Sequence, residues 1–187
     1  QGSEPEALQM GNIRLSPRQN DVFKPVICAI NGIICGGGFH FYLGSDIIIC
    51  SENATFFDTH TSIGFVAHRE AIGLSRRIGY NHAIRFALMG RYDRISAERA
   101  YDIGLVTEVV PIENLLTRAN EIAETLLKNA PKALEGSVEA MWRSQNLGLE
   151  DAWKLSGLIS RQNFLLEDAL EGPRAFSEKR QPNWKGR

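Results

Sequence analysis

Three consecutive glycines, Gly36 to Gly38, form the most informative turn of the chain. They follow a predicted strand and precede a helix-length segment, so their N–H groups are expected at a helix N-terminus. Glycine lets a ligand approach the backbone closely, and N–H groups at this place bind negative charge. The turn can hold a phosphate, stabilise a developing oxyanion, or simply pack a helix tightly on a strand. The pattern does not fit Gly-x-Gly-x-x-Gly or a P-loop, which argues against a nucleotide site.

Two histidines are candidates for proton transfer, because the ordinary imidazole pKa of about 6.5 suits general acid–base catalysis near neutral pH. His40 follows the glycine run by two positions, and His60 lies in a predicted loop two residues after Asp58. The Asp58 carboxylate can orient the His60 ring if the loop brings them together. His40 has apolar neighbours, Phe39 and Phe41, so a hydrogen-bonded core residue is the alternative interpretation.

The other two histidines carry weaker predictions. His68 lies near Glu70, and each is a candidate acid or base, whereas His82 lies on a predicted helix and is expected to be structural or exposed. A zinc site of His40, His60 and His68 is possible from composition alone, but we predict no metal.

An α/β pattern must position these side chains. Strands are predicted over Val26–Ile30, Asp46–Cys50, Ala54–Phe57 and Leu105–Val110. Helices are predicted over Phe39–Gly44, Glu70–Ile78, Tyr80–Met89, Pro131–Trp142, Leu149–Leu166 and Gly172–Arg180, and from about Glu113 onward. Ser96 is predicted to cap a further helix, whose end is marked by Gly104. We divide the chain into a polar lead-in over 1–21, an α/β core over 22–111 and a helical region over 112–187. The lead-in is predicted to contain a helical turn near Ala7–Met10, and the helical region ends in a basic tail.

Composition excludes several classes of protein. The 187 residues include 21 Lys and Arg and 22 Asp and Glu, so the net charge is −1. A nucleic-acid or anionic-membrane binder needs a basic excess, so neither partner is predicted. No apolar run reaches the roughly 18 to 20 residues that span a bilayer, and no secretory signal opens the chain.

Cys28, Cys35 and Cys50 are predicted to be reduced thiols, which favours the cytoplasm, with the mitochondrial matrix as an alternative.

Several short motifs occur in a recognisable order: Lys24-Pro25-Val26-Ile27, Asn31-Gly32, Gly36-Gly37-Gly38, Ser45-Asp46-Ile47-Ile48, Asp93-Arg94-Ile95-Ser96-Ala97, Gly104-Leu105-Val106 and Glu178-Lys179-Arg180. Together they resemble the enoyl-CoA hydratase/isomerase family, also called the crotonase family. The similarity runs from residue 22 to residue 187. This stretch corresponds to the later part of a family member, so a segment equivalent to the N-terminal third is expected to be missing.

The resemblance implies a spiral of ββα units with a helical C-terminal trimerisation region, in a homotrimer or a dimer of trimers. It implies an acyl-coenzyme A thioester as substrate, no permanently bound cofactor, and an enolate-like intermediate whose oxygen is held partly by the Gly37 N–H. Phe176 and Lys179 match residues that approach the coenzyme A of a neighbouring subunit. The alternative for Lys179 and the basic residues around it is a solvated helix end.

The expected active site departs from that of the family's hydratases, in which two glutamates hold the catalytic water. His40 and His60 stand at these two positions, and the acid of some isomerising relatives corresponds to the region His68-Arg69-Glu70. We therefore predict an acyl-CoA enzyme with imidazoles in place of both carboxylates, which carries out hydration, isomerisation, decarboxylation or C–C hydrolysis. The alternative is a family member that binds acyl-CoA without catalysis.

Overall fold

The computed structural model of the chain describes residues 14–187, so the predicted turn at Ala7–Met10 lies outside the described residues. The strands of this part are β1 (Ile27–Ile30), β2 (Ile33–Cys35), β3 (Ile47–Ser51), β4 (Thr55–Phe57), β5 (Ile95–Ser96) and β6 (Glu108–Val110). The helices are α1 (Gly38–Leu43), α2 (Arg69–Ile78), α3 (Tyr80–Met89), α4 (Ala97–Asp102), α5 (Leu115–Leu126), α6 (Pro131–Ser144), α7 (Leu149–Phe164) and α8 (Glu167–Ser177). Short 3₁₀ turns connect several of these elements.

The strands form two small sheets that are built by repetition. The succession strand, strand, helix occurs twice, as β1-β2-α1 and then as β3-β4-α2. The second copy stacks on the first, because β3 pairs in parallel with β1 and β4 pairs in parallel with β2. The first sheet is completed by β6 beside β3, and the second by β5, which is antiparallel to β4. This is the predicted α/β spiral of ββα units, and the fold prediction is confirmed.

Several local predictions hold closely. The helix over Tyr80–Met89 has the predicted bounds. Ser96 caps α4, since its hydroxyl oxygen accepts a hydrogen bond from the Arg99 N–H at 3.2 Å. Gly104 follows the end of that helix with a φ of +74°, the left-handed conformation that ends many helices.

Two very short strands, β2 and β5, were not predicted. With only three and two residues they carry no alternation of their own, and they are strands only because β4 lies between them. The predicted strand over Leu105–Val110 begins only at Glu108. The N–H groups of Leu105 and Val106 both donate to the carbonyl of Ala100. These two buried residues therefore belong to the turn that ends α4 and not to the strand.

The last helix was also misplaced, because α8 begins at Glu167 and ends at Ser177 instead of covering Gly172–Arg180. Pro173 lies inside α8. The buried Asp168 and Ala175 on this helix show that packing extends it toward the N-terminus. Past the helix, Lys179 adopts a φ of +55°.

The tail after α8 is folded back onto the protein. The indole N–H of Trp184 donates to the Lys128 carbonyl at 2.9 Å. The N–H groups of Lys185 and Gly186 donate to the buried Asp168 carboxylate at 2.6 and 2.9 Å. Among the described helices, none is long and apolar enough to cross a bilayer.

The three cysteines are free thiols, of which Cys50 is fully buried and the other two are partly buried. Burial raises the pKa of Cys50 to about 11 and also raises the pKa of Cys28. Both groups therefore stay protonated and poorly reactive near neutral pH, because the thiolate is the nucleophile.

The main core packs around α1, the helix that carries His40. Phe39 and Tyr42 of this helix are fully buried, and the Phe39 ring meets Phe86 edge-on with the ring centres 5.4 Å apart. The Tyr42 hydroxyl donates to the Leu105 carbonyl at 2.6 Å. Burial raises the pKa of Tyr42 to about 12, so this hydroxyl keeps its proton. A short helix of six residues is thereby held in one orientation.

Replacing Tyr42 with Phe should lower the free energy of unfolding by about 1 to 2 kcal/mol, because the buried Leu105 carbonyl loses its donor. The matched control is Tyr92→Phe, whose hydroxyl accepts from Arg91 and whose side chain is 74% exposed. That change should cost less than about 0.5 kcal/mol. Urea unfolding measures both variants, and equal losses would show that the buried hydrogen bond has no special importance.

Candidate active site

The glycine turn approaches the loop after β4, because β2 and β4 are parallel neighbours and their carboxyl ends meet at one edge of the sheet. Gly36 has a φ of +45°, and a Cβ there would lie 3.1 Å from Thr59 Oγ1 and 3.9 Å from His60 Cε1. Glycine is thus required both for the backbone conformation and for the close contact. Gly37 precedes α1 and is exposed, with no atom within 4 Å of the place a Cβ would occupy.

Asp58 contacts the ring of His60, because the loop after β4 brings the two side chains together. One carboxylate oxygen of Asp58 accepts the N–H groups of Thr59 and His60 at 2.6 and 3.1 Å, and lies 2.6 Å from His60 Nδ1. Asp58 is only 3% exposed. Because this oxygen is an acceptor for two backbone donors, we assign the ring proton to Nδ1. Neutral His60 then presents the lone pair of Nε2 toward the interior of the site.

Glu70 joins the two histidines. One of its carboxylate oxygens lies 2.9 Å from His40 Nε2, and the other lies 4.0 Å from His60 Nε2. The carboxylate is nearly inaccessible, whereas the side chains of His40 and His60 are 18% and 21% exposed. The side chains therefore form a continuous row in the order Asp58, His60, Glu70, His40, in which both imidazoles are partly exposed and both carboxylates are buried.

A pair of hydroxyl groups holds the loop that carries His60. Thr61 donates to the carbonyl of Ala87 at 2.8 Å, and the Ser62 hydroxyl accepts the N–H of Arg91 at 3.0 Å. The loop also closes on itself, because the Phe65 N–H donates to the His60 carbonyl at 2.8 Å. Neither hydroxyl was singled out from the sequence, since only the folded loop brings them to the end of α3.

The contacts that join this row do not involve the other predicted residues. His68 is exposed at the residue before α2, and His82 is partly buried on α3. Phe176 is 87% exposed and Lys179 is exposed near the C-terminus. Within residues 14–187, no group of three or more His, Cys, Asp or Glu side chains has the arrangement of a metal site.

Comparison with known proteins agrees with this architecture. One similar solved structure is that of an enoyl-CoA hydratase/isomerase from Mycobacterium paratuberculosis. The match covers 92% of the present chain and 68% of the Mycobacterium chain, with 47% identity and a TM-score of 0.88. The structure of an enoyl-CoA hydratase from Bacillus anthracis is also similar. That match covers all of the present chain and 73% of the Bacillus chain, with 34% identity and a TM-score of 0.89. These similarities define a crotonase fold.

The sequence matches identify the family as well. The family model described as enoyl-CoA hydratase/isomerase matches residues 7–187. A carnitinyl-CoA dehydratase from Proteus mirabilis is 38% identical over 172 residues, which are 89% of this chain and 65% of that protein. The chain belongs to the enoyl-CoA hydratase/isomerase family, and it spans about two thirds of the length of the curated relatives that it matches.

The contact of the glycine turn with the His60 loop can be tested by Gly36→Ala. An L-residue in the left-handed region costs roughly 1 to 2 kcal/mol, and the added methyl group also presses on Thr59. Gly37→Ala is the matched control, because its φ is −55° and its Cβ meets open space. We expect a clear loss of unfolding free energy for Gly36→Ala and little change for the control, measured by denaturant unfolding. Similar losses for both would contradict this role of Gly36.

Proposed function

We propose that this protein is an acyl-CoA-processing enzyme that acts through a thioester enolate, with His60 as the base that moves the proton. The observation that carries the proposal is the orientation of His60 between two buried carboxylates. Asp58 holds Nδ1 at 2.6 Å, and Nε2 points toward Glu70. This arrangement keeps the basic nitrogen available and stabilises the imidazolium that forms when it takes a proton.

The proposed reaction begins with the thioester carbonyl at the glycine turn. The Gly37 N–H, at the N-terminus of α1, is the proposed donor to the carbonyl oxygen, where negative charge develops as the α-proton leaves. His60 Nε2 takes that proton, so a positive imidazolium forms beside the negative enolate. The Asp58 and Glu70 carboxylates flank this imidazolium, which lowers the energy of the charge-separated state.

His40 and Glu70 are proposed to handle the second proton transfer. Glu70 contacts both rings. While His60 takes a proton from the substrate, the pair of Glu70 and His40 can therefore donate a second proton to it. A site with this property suits an elimination of water or a shift of a double bond, in which one proton leaves and another is supplied. The name of the Proteus mirabilis relative, a dehydratase, is consistent with the first of these.

The remaining parts of the proposal concern binding, assembly and location. Phe176 and Lys179 lie on the surface, far along the chain from the histidine row, so we propose that they reach the coenzyme A bound by a neighbouring subunit. This requires a homotrimer or a dimer of trimers. The proposed compartment is the cytoplasm, which keeps the three free thiols reduced.

The decisive comparison is turnover by wild type, His60→Ala and His82→Gln. The protein is produced in its own cells and incubated with each of five coenzyme A thioesters. These are a 2-enoyl, a 3-enoyl, a 3-hydroxyacyl, a 3-oxoacyl and a malonyl-type thioester. The products are identified by mass spectrometry. Loss of the base should lower kcat by about 100- to 10,000-fold with little change in KM. His82→Gln, outside the histidine row, should behave as wild type.

Each outcome has a distinct meaning. Full turnover by His60→Ala would refute the role of His60 as base. Thioester binding without conversion of any compound by wild type would instead support the alternative that the protein is a binding member of the family. Loss of carbon dioxide or cleavage of the chain would identify decarboxylation or C–C hydrolysis as the reaction.

A further inference from the structure

Glu70 is among the residues through which α2 packs on α1. Glu70, Gly73 and Arg77 are spaced by three and four positions, so they lie on one face of α2. Glu70 contacts His40 at the start of this face, Gly73 faces Leu43 in the middle, and Arg77 reaches the end of α1. The distance between His40 and Glu70 therefore depends on how the two helices are aligned along their whole contact.

Arg77 clamps the C-terminal end of α1. Its guanidinium donates to the carbonyl of Leu43 at 2.9 Å and to the carbonyl of Ser45 at 2.6 Å. It also lies over the ring of Tyr42, 5.1 Å from the ring centre. The last carbonyls of a helix lack partners within the helix, and a cation placed there also opposes the negative end of the helix dipole.

Gly73 sets how closely the helices approach. A Cβ at this position would lie 2.5 Å from Leu43 Cδ1 and 2.9 Å from Leu43 Cδ2. Any side chain at 73 therefore forces either the Leu43 side chain or the whole of α2 to move. Since Glu70 is one turn away on the same face of α2, such a movement would change its distance from His40.

We propose that Arg77 is a positioning residue for the active site, because its clamp on the end of α1 sets the alignment that brings Glu70 between His40 and His60. Arg77 lies seven residues from Glu70, about 10 Å along the helix, so it acts through Glu70 and not on the substrate. The effect on turnover rests on the proposed function, whereas the effect on the His40 ring does not.

The test compares Arg77→Met and Arg77→Lys with Arg76→Met as the matched control. Arg76 is the neighbouring arginine of the same helix, and it donates to the carbonyl of Gln145 instead, at 2.8 Å. Nitrogen-15 labelling of the histidines gives ring signals for His40 and His60, and the positions of these signals report the contact with Glu70. Turnover is measured on the thioester that wild type converts.

For Arg77→Met we expect shifted ring signals of His40. We also expect kcat to fall about 10- to 100-fold with KM changed less, as small misplacements of catalytic groups typically cause. Arg77→Lys should recover part of both effects, and Arg76→Met should change neither. Unchanged His40 signals in folded Arg77→Met would overturn the proposal, whether or not any thioester is converted.

A second pair of variants tests the same alignment without removing a charge. Gly73→Ala should shift the His40 signals in the same way as Arg77→Met. Adding Leu43→Val, which removes the methyl groups that a Cβ at 73 would meet, should return the signals toward wild type. Signals that remain at their wild-type positions in Gly73→Ala would show that α2 need not be held this closely, and would count against the proposal.

Discussion

The site depends on the cost of burying the Glu70 carboxylate. A buried charge is strongly unfavourable unless it is paired and hydrogen-bonded, and Glu70 is 5% exposed. The partners are imidazoles, His40 at 2.9 Å and His60 at 4.0 Å. Hence α1 and α2 must lie side by side, and the loop after β4 must turn His60 toward them. The proposed proton transfer also requires titratable partners, because an Arg partner would keep its charge permanently.

The repeating spiral explains why these distant residues meet. The glycine turn follows β2, and the loop with Asp58 and His60 follows β4, which is the parallel neighbour of β2. Equivalent connections of successive units therefore lie together at one edge of the sheet. Gly36, which has no side chain, lets the second connection come within contact distance of the first. The fold thus places the glycine turn beside His60, the proposed base, and takes the two from neighbouring units.

The sequence predicted those parts of the molecule that depend on local chemistry. The pairing of Asp58 with His60 spans two residues, so spacing alone suggested it, and Ser96 and Gly104 mark the ends of α4 through local rules. The contact of Glu70 with His40 depends on how two helices pack, and nothing near either residue predicts it. The same applies to β2 and β5, which exist only through their pairing with β4, and to α8, whose start at Glu167 depends on packing.

The proposed function depends on the removal of a proton by His60 from the carbon next to the thioester. The most direct measurement is deuterium exchange at that carbon in a saturated acyl-CoA dissolved in D₂O, followed by NMR. A saturated chain has no leaving group, so exchange reports enolate formation alone. We predict exchange with wild type, its loss in His60→Ala, and partial recovery when free imidazole is added. Absence of exchange with wild type at saturating thioester, or full exchange in His60→Ala, would contradict the account.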